Sequence, residues 1–500
     1  MKLRLFGLLL SLPCWMQAQH VQYSEPESQD SRKTDFQIIG RVSGNILIYK
    51  SNHNEKAISV YTPDMKLVKR VPIEYMADRI VNVDFIQFTD SFYLICEYTK
   101  KNIDYLVALK MDGMAREFGN PIELDTTAIN ASASGKIYTL VVSDDKQYVM
   151  ALKINTKNPR SYIFTSFLFN KEFDLLDRHR MFMDVHEHMD MFTNFELDNE
   201  GQLVFTRFAR SNSGEYISHI SLITKAPQAD TFAIRDIGAN DHVLDEMKIK
   251  IDNTNKRYLI SAFYYKQRKG NIEGLYTMVW DKTTDSRLKE TLTLFNDELR
   301  NLAKSSESND KMAFNDYFIK NLIVRKDGGY LVLSESEFIT SRGSTFSRSD
   351  YMYGPSYPMG YYSPYYNSYS PYYPYGSTGV MNRYNAENIL VLSFDKNSNL
   401  EWTNVVPKSQ FDDDTNMQIS YKTMNTGGEL HFLYNQYDRK TLLLTDQSIS
   451  PDGKITRYPT MHNLDKGFEF LPRYAKQITG NQIVIPCLYR NYLCFAKIDF

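Results

Sequence analysis

The residue types best suited to chemistry cluster at His186-Glu187-His188. On an extended strand alternate side chains share a face, so the two imidazoles would project together, as metal ligation requires. Asp184 and Asp190 have the same parity, and Met181, Met183, Met189 and Met191 add the softer donors that suit a borderline metal. No third ligand stands at a fixed spacing. The plainer expectation is therefore a partly exposed strand with polar residues on one face, and His186 and His188 are the metal candidates. Two oxygen-rich stretches invite a calcium reading, Asp412-Asp413-Asp414 and the turn Asp395-Lys396-Asn397-Ser398-Asn399. The second lacks the central Gly and distal bidentate Glu of an EF-hand loop and is expected to be a hairpin, and the first to be solvated.

Gly-x-Ser-x-Gly, His-Glu-x-x-His, the Walker phosphate loop and the Gly-rich dinucleotide fingerprint do not occur. No catalytic residue and no cofactor are assigned. A site assembled from residues far apart in sequence would leave no such motif. Cys487 and Cys494 would face each other across a hairpin turning at Arg490 and Asn491, within reach of a disulfide. The favoured expectation is two small apolar residues in a buried strand pair, with the bridge left open.

What must position any such residues is a chain of short strands. Apolar runs recur at Phe92 to Cys96, Tyr138 to Val142, Tyr330 to Leu333 and Gln482 to Ile485. Turn signals of one kind separate them: Thr62-Pro63-Asp64, Met111-Asp112-Gly113, Asp395-Lys396-Asn397 and Ser450-Pro451-Asp452-Gly453. Units of a similar plan begin near Phe36, Val81, Ile129, Met191, Val243, Asn315, Asn416 and Phe470, each with room for four strands. That spacing is the length of a propeller blade. The last unit shows only three strands, so Val21 to Glu25 is expected to supply the fourth and close the ring. The fold expected is all-β, a β-propeller of four-stranded blades, eight in number with seven as the alternative.

Phe394-Asp395-Lys396-Asn397-Ser398-Asn399-Leu400-Glu401-Trp402 and Lys326-Asp327-Gly328-Gly329-Tyr330-Leu331 resemble the blade hairpins of bacterial secreted β-propellers. Over most of the chain the sequence is similar in style to uncharacterised secreted proteins of Bacteroidota. The resemblance implies the fold and no activity.

The first residues read as a signal peptide, 1–18: Lys2 and Arg4, an apolar run from Leu5 to Trp15, and a small-residue exit at Ala18. Residues 19–500 are then the propeller domain. No later segment is apolar for long enough to cross a membrane as a helix. With 58 basic and 60 acidic residues and no long basic block, nucleic acid is a disfavoured partner. Two insertions interrupt the blades. One, near 295–312, places Phe295, Leu299 and Leu302 on one face of an expected amphipathic helix. The other, 341–385, holds eleven tyrosines between Tyr351 and Tyr375, interleaved with Pro, Ser and Gly. Tyr combines a wide apolar face with a polar tip, so Tyr361, Tyr362, Tyr365, Tyr366, Tyr372 and Tyr373 are the candidate partner contacts.

The function expected is an exported binding or scaffold protein of the cell envelope, in the periplasm or at the surface, holding a protein or glycan partner. The alternatives are a hydrolase or lyase acting on extracellular polymer from a channel-mouth site, and an outer-membrane β-barrel. The barrel is suggested by the alternation Tyr492, Cys494, Ala496, Ile498 and the terminal Phe500.

Overall fold

A computed structural model describes residues 20–27, 34–52, 55–73, 79–129, 136–158, 161–184, 190–210, 217–238, 242–267, 270–305, 309–341, 344–345, 348, 382–413, 416–438, 441–458, 467–490 and 492–500. The first described strand is β1 (His20–Tyr23). Blade 1 follows as β2 (Asp35–Val42), β3 (Asn45–Ser51), β4 (Lys56–Tyr61) and β5 (Leu67–Pro72), and blade 2 as β6 (Arg79–Gln87), β7 (Ser91–Lys100), β8 (Ile103–Asp112) and β9 (Glu117–Ala128). Blade 3 is β10 (Tyr138–Val142), β11 (Tyr148–Asn158), β12 (Ser161–Asn170) and β13 (Leu175–Asp184). Blade 4 is β14 (Asp190–Leu197), β15 (Leu203–Arg210), β16 (Ile217–Lys225) and β17 (Ala233–Asp236). Blade 5 is β18 (Val243–Asp252), β19 (Arg257–Tyr265), β20 (Ile272–Asp281) and β21 (Ser286–Leu294), after which comes α1 (Asp297–Ala303). Blade 6 is β22 (Tyr317–Val324), β23 (Tyr330–Ser341) with the short β24 (Ser344–Thr345) beside it, β25 (Asn382–Phe394) and β26 (Leu400–Asp413). Blade 7 is β27 (Tyr421–Asn425), β28 (Leu430–Asp438), β29 (Thr441–Ile449) and β30 (Ile455–Arg457). Blade 8 is built from β31 (Phe468–Phe470), β32 (Lys476–Thr479), β33 (Gln482–Tyr489) and β34 (Tyr492–Asp499).

All pairing is antiparallel, and the protein is an eight-bladed β-propeller. The fourth strand of blade 8 is β1, which pairs with β34 from His20↔Asp499 to Tyr23↔Ala496. The expected closure by the terminal strand is borne out, and eight blades rather than seven are present.

The side-chain packing follows the same count. Each of eight apolar clusters lies between two neighbouring blades, from Ile39, Leu47, Phe92 and Leu94 between blades 1 and 2 round to Met424, Leu433, Ile483 and Cys494 between blades 7 and 8. The eighth joins last to first, with Phe36, Ile48 and Met65 of blade 1 against Val484, Leu493 and Phe495 of blade 8. A strand buried on both faces gains nothing from alternation, which is why the sequence shows continuous apolar runs. The same fact removes the barrel alternative. On β34, Cys494, Ala496 and Ile498 pack toward blade 7 while Leu493 and Phe495 pack toward blade 1, so the terminal alternation separates two cores.

The recurring turn signals all fall at one place, the hairpin between the third and fourth strands. In each, a three-residue turn ends on a residue with positive φ: Met65 at 61°, Ala115 at 52°, Ser398 at 58° and Gly453 at 84°. Such turns usually carry Gly there. Met65, Ala115 and Ser398 are nearly fully buried, so tucking each side chain into the ring offsets about 1 kcal/mol of backbone strain. Asp395 closes its turn by accepting from the backbone N–H groups of Asn397 and Asn399, both at 2.8 Å, as the hairpin reading expected.

Three expectations need correction. The third unit's first strand starts at Tyr138, not near Ile129, because the chain up to Ile129 still prolongs the outer edge of blade 2, with the Ile129 N–H on the Asn102 carbonyl. In the first insertion Asn296 caps α1, so Phe295 precedes the helix instead of lying on its face. Leu299 and Ala303, one turn apart, are the buried pair, and Leu302 is 59% exposed. Asp412 and Asp413 are not simply solvated: Asp412 accepts from the N–H groups of Met417 and Gln418, and Asp413 forms a bidentate pair with Arg383.

Candidate binding cleft between blades 2 and 3

In six blades the first strand borders the axis, as the contacts β2 to β6, β10 to β14, β14 to β18, β18 to β22 and β2 to β32 show; in blade 8 that strand is β32, and β27 holds the corresponding first place in the strand order of blade 7. These inner strands all start at one end of the ring, here the entry end, and finish at the exit end.

Near the axis, blades 6 to 8 share an ion network. Lys408 lies 2.7 Å from Glu335, Lys320 lies 2.6 Å from Glu337, and Arg473 lies 3.4 Å from Glu337. Ser420 donates to Glu335 at 2.6 Å. Buried carboxylates paired in this way serve to hold blades in register.

The open feature is elsewhere. Toward the entry end the core between blades 2 and 3 opens into a cleft of about 620 Å³, a size suited to a small ligand or a short polymer segment. Its blade 3 wall follows from register. Lys153, Thr165 and Arg180 are consecutive cross-strand partners on β11, β12 and β13, and Phe167↔Arg178 forms the next row. Side chains two apart share a face, so Arg178 and Arg180 extend from the same side of an outer strand. Thr127 of blade 2, Ile137, Ile154, Ile163 and His179 complete the lining, and Phe182, 64% exposed, continues the same face of β13 as Arg178 and Arg180.

Charge across the cleft is uneven. Asp125 is shared by Lys153 and by Arg178 at 3.7 Å, and it accepts from the Tyr138 hydroxyl at 2.7 Å. The Arg180 guanidinium lies 5.7 Å from the Phe182 ring, and among the described residues it has no carboxylate partner. On the wall, His179 Nδ1 lies 2.9 Å from Asp177, which is itself paired at 2.8 Å to the fully buried Lys225. Asp184 ends the same face of β13, so among the described residues two acids stand against three cations on the open face.

Beneath the cleft, blade 2 carries a different group. The Glu97 carboxylate accepts from the Ile137 N–H at 2.5 Å, and Asp104 accepts from the Thr99 hydroxyl at 3.1 Å. Burial, with Asp104 adding to it against the Ile137 N–H, pushes Glu97 up to about 8, and burial also raises Asp104. The second oxygen of each carboxyl is buried without a donor among the described residues, as expected of two acids sharing one proton. Both are 1% exposed, so the pair is sealed from the cleft.

His186 and His188 fall between β13 and β14, outside the described residues, as do Tyr361, Tyr362, Tyr365, Tyr366, Tyr372 and Tyr373. Met181 and Met183, offered above as soft donors, are packed in the core between blades 3 and 4. Among the described residues no group of three or more His, Cys, Asp or Glu is placed to hold a metal. Cys487 and Cys494 are cross-strand partners, as the hairpin required, and are free, buried thiols with sulfurs 2.8 Å apart. The cleft itself was missed. Its signal was the basic run Arg178-His179-Arg180 on an outer strand, immediately before the methionine and histidine cluster, beginning at Met181, that drew attention.

Neither a protein-family model nor a curated protein matches the chain. Among solved structures it is similar to a protein of unknown function from Bacteroides caccae, with 9% identity over 75% of this chain and 94% of that one and a TM-score of 0.27. It is also similar to prolyl oligopeptidase B from Galerina marginata, with 7% identity, 92% of this chain, 56% of that chain and a TM-score of 0.41. A third is the apocarotenoid oxygenase of Synechocystis, with 8% identity, 79% and 96% coverage and a TM-score of 0.33. The blade count rests on the strand pairing above and not on these likenesses.

Proposed function

We propose that this propeller is an exported, non-catalytic binding protein of the cell envelope, and that the cleft between blades 2 and 3 holds an acidic glycan. The observation that carries the reading is the cationic row of Lys153, Arg178 and Arg180, of which Lys153 and Arg178 share one carboxylate, Asp125, and Arg180 has none among the described residues. Guanidinium groups match carboxylates and sulfates bidentately. The hydroxyls of Thr127 and Thr165 suit sugar hydroxyls, and the exposed Phe182 ring offers an apolar face to a pyranose. Export rests on the leader-like residues 1–18.

The hydrolase reading draws on Glu97, a carboxylic acid that keeps its proton near neutral pH. Its burial sets it behind the cleft floor instead of at a reacting bond, which favours binding over cleavage.

The test is titration of residues 20–500 with uronate and sulfated oligosaccharides, neutral oligosaccharides and an acidic peptide. Saturable binding of the acidic sugars, weakened at least about tenfold by Arg178→Ala with Arg180→Ala, is the expected result. Equal binding of neutral sugars, binding of the peptide alone, or release of new reducing ends would overturn the reading.

A further inference from the structure

The exit end of the channel carries three lysines that no carboxylate answers. Lys422 of β27 and Lys476 of β32 stand on the inner strands of neighbouring blades, each three residues before the strand's last residue. Lys146 comes from the hairpin that ends the inner strand of blade 3. Although Lys476 is the first residue of β32 and Lys422 the second of β27, both strands are short and Lys476 lies within reach of the charges of Lys146 and Lys422, which brings the three together in the exit half of the channel. The Lys146 ammonium donates to the Gln87 carbonyl at 2.6 Å, and the Lys476 ammonium donates across to the Ile39 carbonyl of blade 1 at 2.9 Å. Lys422 has no hydrogen-bond or ion partner among the described residues.

The other charged groups at this end leave that imbalance in place. Lys250 lies 3.1 Å from Glu196 and 3.3 Å from Asp144, Asp145 accepts within its own hairpin from the Ser143 hydroxyl at 2.7 Å and the Gln147 N–H at 3.0 Å, Asp499 is paired to Lys497 at 3.2 Å, and the further cation Arg41 donates to Gln482 at 3.3 Å. Burial lowers Lys422 and Lys476 to about 8 and lowers Lys146 as well, and the charges of Lys146 and Lys422 press Lys476 further in the same direction. A buried ammonium is tolerated when it is paired or neutralised. These three line the channel half-buried instead of sealed from water, no carboxylate among the described residues pairs with them, and each lysine keeps unspent N–H donors.

We propose that the exit end of the channel is an anion site in which Lys146, Lys422 and Lys476 together hold a phosphate group, free or as the terminal group of a larger ester. A tetrahedral oxyanion offers acceptors in several directions, which matches donors arriving from three separate blades. The site is distinct from the cleft between blades 2 and 3, which opens toward the entry end, and it stands whether or not that cleft binds a glycan.

The experiment uses residues 20–500 at pH 7, with inorganic phosphate compared against chloride at equal ionic strength, followed by calorimetric titration and thermal unfolding. One phosphate bound per chain and a rise in Tm of about 2–4 °C near saturation are expected. Lys422→Met should bind about tenfold more weakly, and it should be no less stable than the parent in chloride, because it removes a repelled charge. A sugar phosphate binding more tightly than inorganic phosphate would identify an ester as the source, and equal or weaker binding would identify the free ion. An equal Tm rise in parent and Lys422→Met would mark a general salting effect and overturn the proposal, as would absence of saturable phosphate binding.

Discussion

Glu27 follows the closing strand and clamps it to the neighbouring blade, and replacing it with Gln tests the closure energetically. Its carboxylate meets the Lys50 ammonium, the Arg70 guanidinium at 2.6 Å and the Tyr61 hydroxyl at 3.0 Å. The Lys50 side chain is 5% exposed and that of Glu27 12%, so Glu27→Gln strands a buried cation. Breaking such a pair costs about 3–5 kcal/mol, and neutralising an ordinary lysine at pH 7 costs about 5 kcal/mol, which bounds the loss from above. We expect a loss of about 3 kcal/mol in urea unfolding and faster hydrogen exchange in residues 20–27. Adding Lys50→Met should restore most of it, because the stranded charge goes. The effect has a pH signature. Burial alone would raise Glu27, but Lys50 and Arg70 outweigh it and hold the group below its ordinary value of 4.5. Its contribution is therefore present above pH 4.5 and lost as pH falls through the lower folded value, so the parent should lose its advantage over Glu27→Gln in acid. A variant within about 0.5 kcal/mol of the parent at pH 7, or one that Lys50→Met fails to rescue, would refute the clamp.

The buried pair Glu335 and Lys408 obeys the same logic: Lys408→Met alone should cost about 3 kcal/mol, and Lys408→Met with Glu335→Leu should cost clearly less than the sum of the singles, read from a double-mutant cycle. Glu97, raised to about 8, and Asp84, raised to about 7, give stability that is present below their ordinary values and lost as pH rises through the folded ones. The parent should therefore be more stable at pH 5.5 than at pH 8.5, and Glu97→Gln should narrow that gap; a parent curve rising over this interval would contradict it. Cys487 and Cys494 are close enough to be cross-linked, so treating residues 20–500 with a diamide oxidant and then denaturing should leave one thiol, Cys96, for titration where the reduced chain shows three. Three thiols after oxidation would contradict the pairing.

Much of the ring was legible because its physics is local. Aspartate and glycine turns repeat at fixed places, and strands buried on both faces stay apolar along their length. Closure was legible from counting, since a final unit with three strands needed a fourth and Val21 to Glu25 could supply it. The cleft was not legible, because its two walls come from different blades and only the pairing of Lys153, Thr165 and Arg180 brings their side chains into a row. The lysines of the channel were hidden for the same reason: Lys146, Lys422 and Lys476 are ordinary surface residues in sequence, and only closure of the ring brings them to one end. In the first insertion the helical face was misjudged because a cap at Asn296 shifted the helix start past Phe295.

On the proposed function, the face formed by β11, β12 and β13 is where this propeller takes its ligand. Hydrogen exchange followed by mass spectrometry on residues 20–500, with and without a sulfated or uronate oligosaccharide, tests it most directly. Protection confined to segments 151–158, 161–170 and 175–184, and absent in Arg178→Ala with Arg180→Ala, is the predicted result. Unchanged exchange in those segments, with protection in other blades, would contradict it.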